Sequence, residues 1–117
     1  MQTGTPQPPW EWNKDGEFWF NDGRGEVGGG VNHSGFPYTV GFGIISGPKT
    51  PDRFYDLILR LSAEFPEYEM RLSLSGDEGK LLRELTQQGL IEWEDMQHPY
   101  SKEARVLRIV RPPGQPA

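Results

Sequence analysis

The sequence predicts an α/β fold, with α+β as the open alternative: a two-layer sandwich in which two helices cover one face of a sheet of about five strands. Three observations carry this expectation. Thr50 to Met96 reads as helix, strand, helix, strand, with a start or stop signal at most boundaries. The segments on both sides of that stretch show the period-two alternation of half-buried strands. At 117 residues the chain has the length of one domain with one core.

The first helix is predicted over Pro51–Phe65. Thr50 stands at the N-cap, Pro51 at the first helical position and Asp52 at the positive end of the helix dipole. Phe54, Leu57, Ile58, Leu61 and Phe65 form one apolar stripe, and Pro66 stops the helix. Tyr68, Met70, Leu72 and Leu74 alternate with Glu69, Arg71 and Ser73, a strand with one wet face. Ser75-Gly76-Asp77-Glu78 matches a capping box for a second helix over Asp77–Gln88, with Leu81, Leu82 and Leu85 on its apolar side. Gly89 fits the left-handed C′ position, with Leu90 folding back onto Leu85. A strand follows over Leu90–Asp95.

Outside this stretch, Glu17–Phe20 reads as a short strand between the turn signals Asp15-Gly16 and Asn21-Asp22-Gly23. Five aromatics between positions 10 and 20 (Trp10, Trp12, Phe18, Trp19 and Phe20) are expected to pack at one end of the core, with an exposed aromatic binding patch as the alternative. Gly23 to Gly35 carries six glycines and reads as a flexible hairpin connection. In Phe36–Ile45 the bulky Phe36, Tyr38, Val40, Phe42 and Ile44 alternate with a nearly bare strip at Thr39, Gly41 and Gly43. Gln97–Lys102 is a turn region, and Ala104–Val110 a last strand, paired as a hairpin with Leu90–Asp95. Its mixed pattern suggests partial burial on both faces. Residues 1–9 and 112–117, rich in proline, are expected to be tails flanking a domain over 10–111.

Composition narrows the function classes. Without cysteine there is no disulfide framework, thiolate nucleophile or thiolate-bound metal, which fits a reducing compartment; the expected location is the cytoplasm. No apolar run approaches the roughly 20 residues of a membrane span, and the first residues lack the pattern of a signal peptide. A net charge of −5 disfavours nucleic acid and suits another protein as partner.

No constellation names a reaction, so the chain is read as leaning away from enzymes, with no cofactor. Its two histidines, His33 and His98, fall in separate loops without metal-ligand spacing. Ser34 beside His33 is adjacency in sequence only. Asp22 with Glu26, or Glu92 with Glu94 and Asp95, would supply paired carboxylates, but 17 acids make such pairs common by chance. The glycines would cradle a phosphate only if a helix followed them, and a strand does.

The segment LLRELTQQGLIE from Leu81, with RVLRIV from Arg105 after a turn, resembles the recognition helix and wing of winged-helix proteins, over about a quarter of the chain. The resemblance implies DNA binding through the Leu81–Gln88 helix. Two departures stand beside it. A strand pattern at Tyr68–Leu74 occupies the place of the preceding helix, and Asp77, Glu78 and Glu84 offset Lys80 and Arg83.

The expected function is a small acidic protein-binding module such as an inhibitor, immunity protein or phage-encoded antagonist. Its partner surface is the sheet face left uncovered, with Thr39, Glu69, Arg71, Ser73, Glu92 and Glu94. The alternatives are a small enzyme or nucleotide-binding domain using Arg24, Glu26, Asn32 and His33 of the glycine loop, and the winged-helix DNA binder.

Overall fold

The computed structural model describes residues 10–12, 16–96 and 102–110. The expected tails, and the turn expected over 97–102 apart from Lys102, lie outside the described residues. The fold is α+β: a seven-stranded mixed sheet with order β1-β2-β3-β4-β5-β7-β6 and two helices. The strands are β1 (Trp10–Trp12), β2 (Glu17–Asn21), β3 (Glu26–Asn32), β4 (Thr39–Ile44), β5 (Glu69–Ser73), β6 (Ile91–Asp95) and β7 (Glu103–Ile109); the helices are α1 (Pro51–Glu64) and α2 (Gly76–Gln87). No helix among the described residues is long and apolar enough to cross a membrane.

Two strands exceed the five expected, and one corrects the reading of the glycine-rich segment. Glu26–Asn32 is a strand in the middle of the antiparallel β2-β3-β4 meander, not a flexible connection. Three consecutive glycines remove the side chains through which alternation is read, so only Val27, buried, and Val31, packed on the core, remain as its signal. The predicted Phe36–Ile45 strand starts later, at Thr39, leaving Phe36 and Tyr38 in the β3–β4 loop.

β4 and β5 form the sheet's one parallel pair, joined through α1 as a βαβ unit. The second expected unit is split. β5 and β6, joined through α2, both run antiparallel to β7, which lies between them. The expected β6–β7 hairpin forms, with a register shift: Trp93 pairs Val106 and Glu92 pairs Arg108, leaving Leu107 as an extra residue. That bulge returns Ile109 to the core side opposite Ile91 and leaves Leu107 exposed. It accounts for the mixed pattern in β7 without burial on both faces.

The core lies between the sheet and the helices. Phe18, Phe20, Val27, Val40, Phe42, Ile44, Met70, Leu72 and Ile91 face it from the strands, and Phe54, Leu57, Ile58 and Leu61 from α1. Each fully buried side chain of this kind contributes about 1.5–3 kcal/mol. Phe42 and Phe54 rings stand 5.3 Å apart, and the Arg60 guanidinium lies 4.7 Å above Phe20. α2 covers β5 and β6 through Leu81, Leu82 and Leu85, and packs on α1.

The helix ends follow the sequence in part. Gly89 has φ of +74°, and the Leu90 and Gly89 N–H groups donate to the Leu85 and Thr86 carbonyls, the Schellman pattern. Thr50 and Ser75 take the extended N-cap conformation, but neither side chain makes a capping bond. The Thr50 hydroxyl bonds the Asp52 carboxylate instead and holds it below its ordinary value. The Ser75 hydroxyl turns to that of Ser73.

One buried charge ties these layers together. Arg53, in the first turn of α1, is fully buried. Its Nε and Nη2 donate to the two carboxylate oxygens of Asp22 at 2.9 and 3.1 Å, and its Nη1 donates to the Ser46 and Pro48 carbonyls at 2.9 Å each. Asp22 also accepts from the Arg24 and Gly25 N–H groups. Gly47 gives this cluster room: at φ of +93°, a Cβ there would meet the Arg24 carbonyl oxygen at 2.3 Å. Burial alone raises the Asp22 carboxyl, but hydrogen bonds from Arg53 and the Arg24 backbone, with both arginine charges, outweigh it and hold Asp22 below 3.8.

Asp22→Ala is expected to cost about 3–5 kcal/mol, because it leaves the Arg53 guanidinium buried without its counter-ion, and a paired Asp22→Leu/Arg53→Met variant should recover much of that loss. Because folding lowers the Asp22 pKa, its contribution is complete above the ordinary value of 3.8 and disappears as pH falls through the lower folded value. Urea titrations at pH 7 and below pH 4 should therefore show the gap between wild type and Asp22→Asn narrowing in acid.

Candidate functional site

Alternation decides which side chains the helices leave uncovered. With Phe18 and Phe20 in the core, Glu17 and Trp19 of β2 point to the opposite face, and the register carries that face across the sheet. Trp19 stands opposite Gly28, which stands opposite Gly43; Gly30 lies between Glu17 and Gly41. Asn32, Thr39 and Glu69 follow in line, then Arg71, Arg105 and Glu94 across β5, β7 and β6. Thr39, Glu69, Arg71, Ser73, Glu92 and Glu94 thus share one face. Trp19, Ile45 and Arg105 join them there, and of these Arg105 was not anticipated.

The face is creased. β4 and β5 pair over only two residues of each strand, Thr39↔Glu69 and Val40↔Met70, and just past them the Arg71 backbone lies close over Gly41. An open depression of about 490 Å³ lies on this face, floored by β3 and β4 from Gly28 to Asn32 and Thr39 to Gly43, and walled by Arg71 and Glu103. A second, of about 220 Å³, continues past Thr39 along Ser34–Pro37 and shares Asn32, Thr39 and Arg71 with the first. The floor is bare for a structural reason at Gly41, where a Cβ would sit 2.5 Å from the Arg71 carbonyl oxygen. At Gly30 a Cβ would meet nothing closer than 3.5 Å. Trp19, 44% exposed, and Ile45, 54% exposed, flank Gly28 on the first depression's other side.

The charges on this face largely satisfy one another. Glu69, whose side chain is only 12% exposed, receives Arg71 Nε at 2.8 Å and lies 3.8 Å from Arg105 Nη1. Arg105 also pairs with Glu94. Arg71 and Arg105 stand directly opposite one another, a repulsive placement that the shared Glu69 offsets. Ser73 bonds Ser75, and among the described residues Glu92 has no ion pair.

The four loop candidates do not form a site. Arg24 lies in the β2–β3 turn, paired with Asp22 and Asp56, whereas His33 follows β3 at its far end, about 20 Å away for a strand of this length. Asn32 Oδ1 accepts from the Ser34 N–H and hydroxyl, closing a local turn. His33 Nε2 is 2.6 Å from the Tyr68 hydroxyl, and its ring packs edge-on against Tyr38. The Glu26 backbone N–H donates to the Ser46 hydroxyl. Asp22 belongs to the buried Arg53 pair and does not face Glu26 as a second carboxylate. Among the described residues no group of three or more His, Asp or Glu converges as a metal-ligand set.

No protein-family model, curated protein or solved structure matches this chain. The two faces of the sheet therefore have to be weighed by their own chemistry. One is closed by α1 and α2. The other offers an open crease with two exposed apolar side chains beside it.

The crease floor makes a sharp stability prediction. Gly41→Ala forces a methyl group onto the β5 backbone and is expected to cost about 1–3 kcal/mol. Gly30→Ala, on the same floor, should stay within about 0.5 kcal/mol of wild type. The denaturation midpoints of the two variants check this.

Proposed function

We propose that this protein is a binding module without catalysis of its own: a small acidic inhibitor or adaptor, such as an immunity protein or phage-encoded antagonist, that engages another protein through the uncovered face of its sheet. The carrying observation is the pairing of Trp19 and Ile45, both about half exposed, beside an open crease in the middle of that face. Large apolar side chains exposed next to a concave surface are a feature of recognition sites. The Glu69–Arg71–Arg105–Glu94 ladder supplies a polar rim whose charges are fixed before a partner arrives, which limits the ordering required on binding. The chain has no cysteine and a net charge of −5, and the reading places its action in the cytoplasm.

The DNA-binding reading finds less support. β5 occupies the position where a winged-helix protein has a helix, and Leu81, Leu82 and Leu85 of α2 are buried against the sheet.

The test is affinity capture from native extract with wild-type protein, a Trp19→Ser/Ile45→Ser variant and a Leu59→Ser control on the exposed side of α1. A partner held by wild type and control but lost by the double variant is the expected outcome. Identical captures by all three, or no stoichiometric partner for any, would overturn the reading.

A further inference from the structure

We infer that the occupant of the crease is an extended, basic segment of the partner, carrying lysine or arginine next to large apolar residues. The inference rests on the binding reading above and adds the chemistry of what is bound. Three observations point the same way.

The first is charge. Among the described residues Arg71 is the one cation lining the crease, and its Nε is already engaged by Glu69. Two further carboxylates border the same space. Glu103 lines it, and Glu78 Oε2, from the first turn of α2, comes within 3.6 Å of the point a Cβ would occupy at Gly43. Among the described residues neither forms an ion pair. A cationic side chain entering here meets two carboxylates that lack a cation, whereas an acidic one meets repulsion.

The second is apolar surface. Trp19 and Ile45 stand exposed beside Gly28 at one margin of the floor, and Arg71 and Glu103 wall it, so an occupant of the crease meets apolar surface near Gly28 and a carboxylate at Glu103. A lysine or arginine stem next to an aliphatic residue suits both.

The third is length. The floor follows five residues of β3 and five of β4, which at about 3.3 Å per residue amounts to roughly 15 Å, and the second depression prolongs it past Thr39. That length fits a run of about six extended residues and is far longer than a single cation requires. A second copy of this chain, itself at a net charge of −5, would instead bring like charge against like charge.

The probe is a fluorescein-labelled peptide of alternating lysine and valine, with its glutamate–valine counterpart as control, followed by fluorescence polarisation. The lysine peptide should bind and the glutamate peptide should not. Trp19→Ser and the Glu78→Gln/Glu103→Gln pair should each weaken binding by about tenfold or more, and added salt should weaken it further. Leu59→Ser should match wild type, and circular dichroism should show every variant folded. Equal binding of the lysine peptide to all variants marks general attraction to an acidic protein and overturns the inference, as does preference for the glutamate peptide or no binding of either. If Trp19→Ser/Ile45→Ser loses a native partner while the lysine peptide fails to bind, the binding module stands and the basic segment falls. If the lysine peptide binds at the crease and extracts yield no partner, the reverse holds.

Discussion

The Arg53–Asp22 pair is the constraint on which the arrangement of the β2–β4 half depends. Three segments meet at one guanidinium: the β2–β3 turn, 31 residues away, through Asp22, the adjoining β4–α1 connection through the Ser46 and Pro48 carbonyls, and α1 through Arg53 itself. A charge placed this deep is tolerated only when its donors find acceptors, and four of them do. The geometry therefore fixes where α1 starts relative to the meander, and through α1 where Phe54 and the rest of the stripe meet the sheet. Hydrophobic burial supplies most of the favourable energy, while the polar cluster fixes the register in which that burial takes place.

Much of the fold was legible because its signals are local. The α1 stripe, the alternation in β5 and the Gly89 C-cap each lie within a dozen residues and agree with the structure. Arg53 was not legible, since in sequence it is a charged neighbour of a helix start, and its partner lies 31 residues away. β3 was hidden for the opposite reason: glycine leaves the backbone pairing intact and deletes the side-chain pattern that would announce it. The caps at Thr50 and Ser75 fit the sequence rule, yet other partners close at hand, Asp52 and Ser73, take up those hydroxyls.

The uncovered face divides in the same way. That Thr39, Glu69, Arg71, Ser73, Glu92 and Glu94 share one face follows from period-two alternation, which a sequence displays. The crease does not, because it depends on how Arg71 and Glu103 stand over the glycine floor, which only the tertiary arrangement decides. Trp19 was read as one more core aromatic beside Phe18 and Phe20, although alternation within Glu17–Asn21 already separates it from both.

β7 has a consequence for the order of events in folding. It is the later partner of two earlier strands and lies between them, so β5 and β6 share no edge until it arrives. During synthesis from the N-terminus the meander and the β4-α1-β5 unit can assemble from contacts already present, whereas α2 and β6 have no sheet edge of their own to join. Until residues 103–109 are in place the β5 edge has no partner, and an unpaired edge is a template for non-native strand pairing.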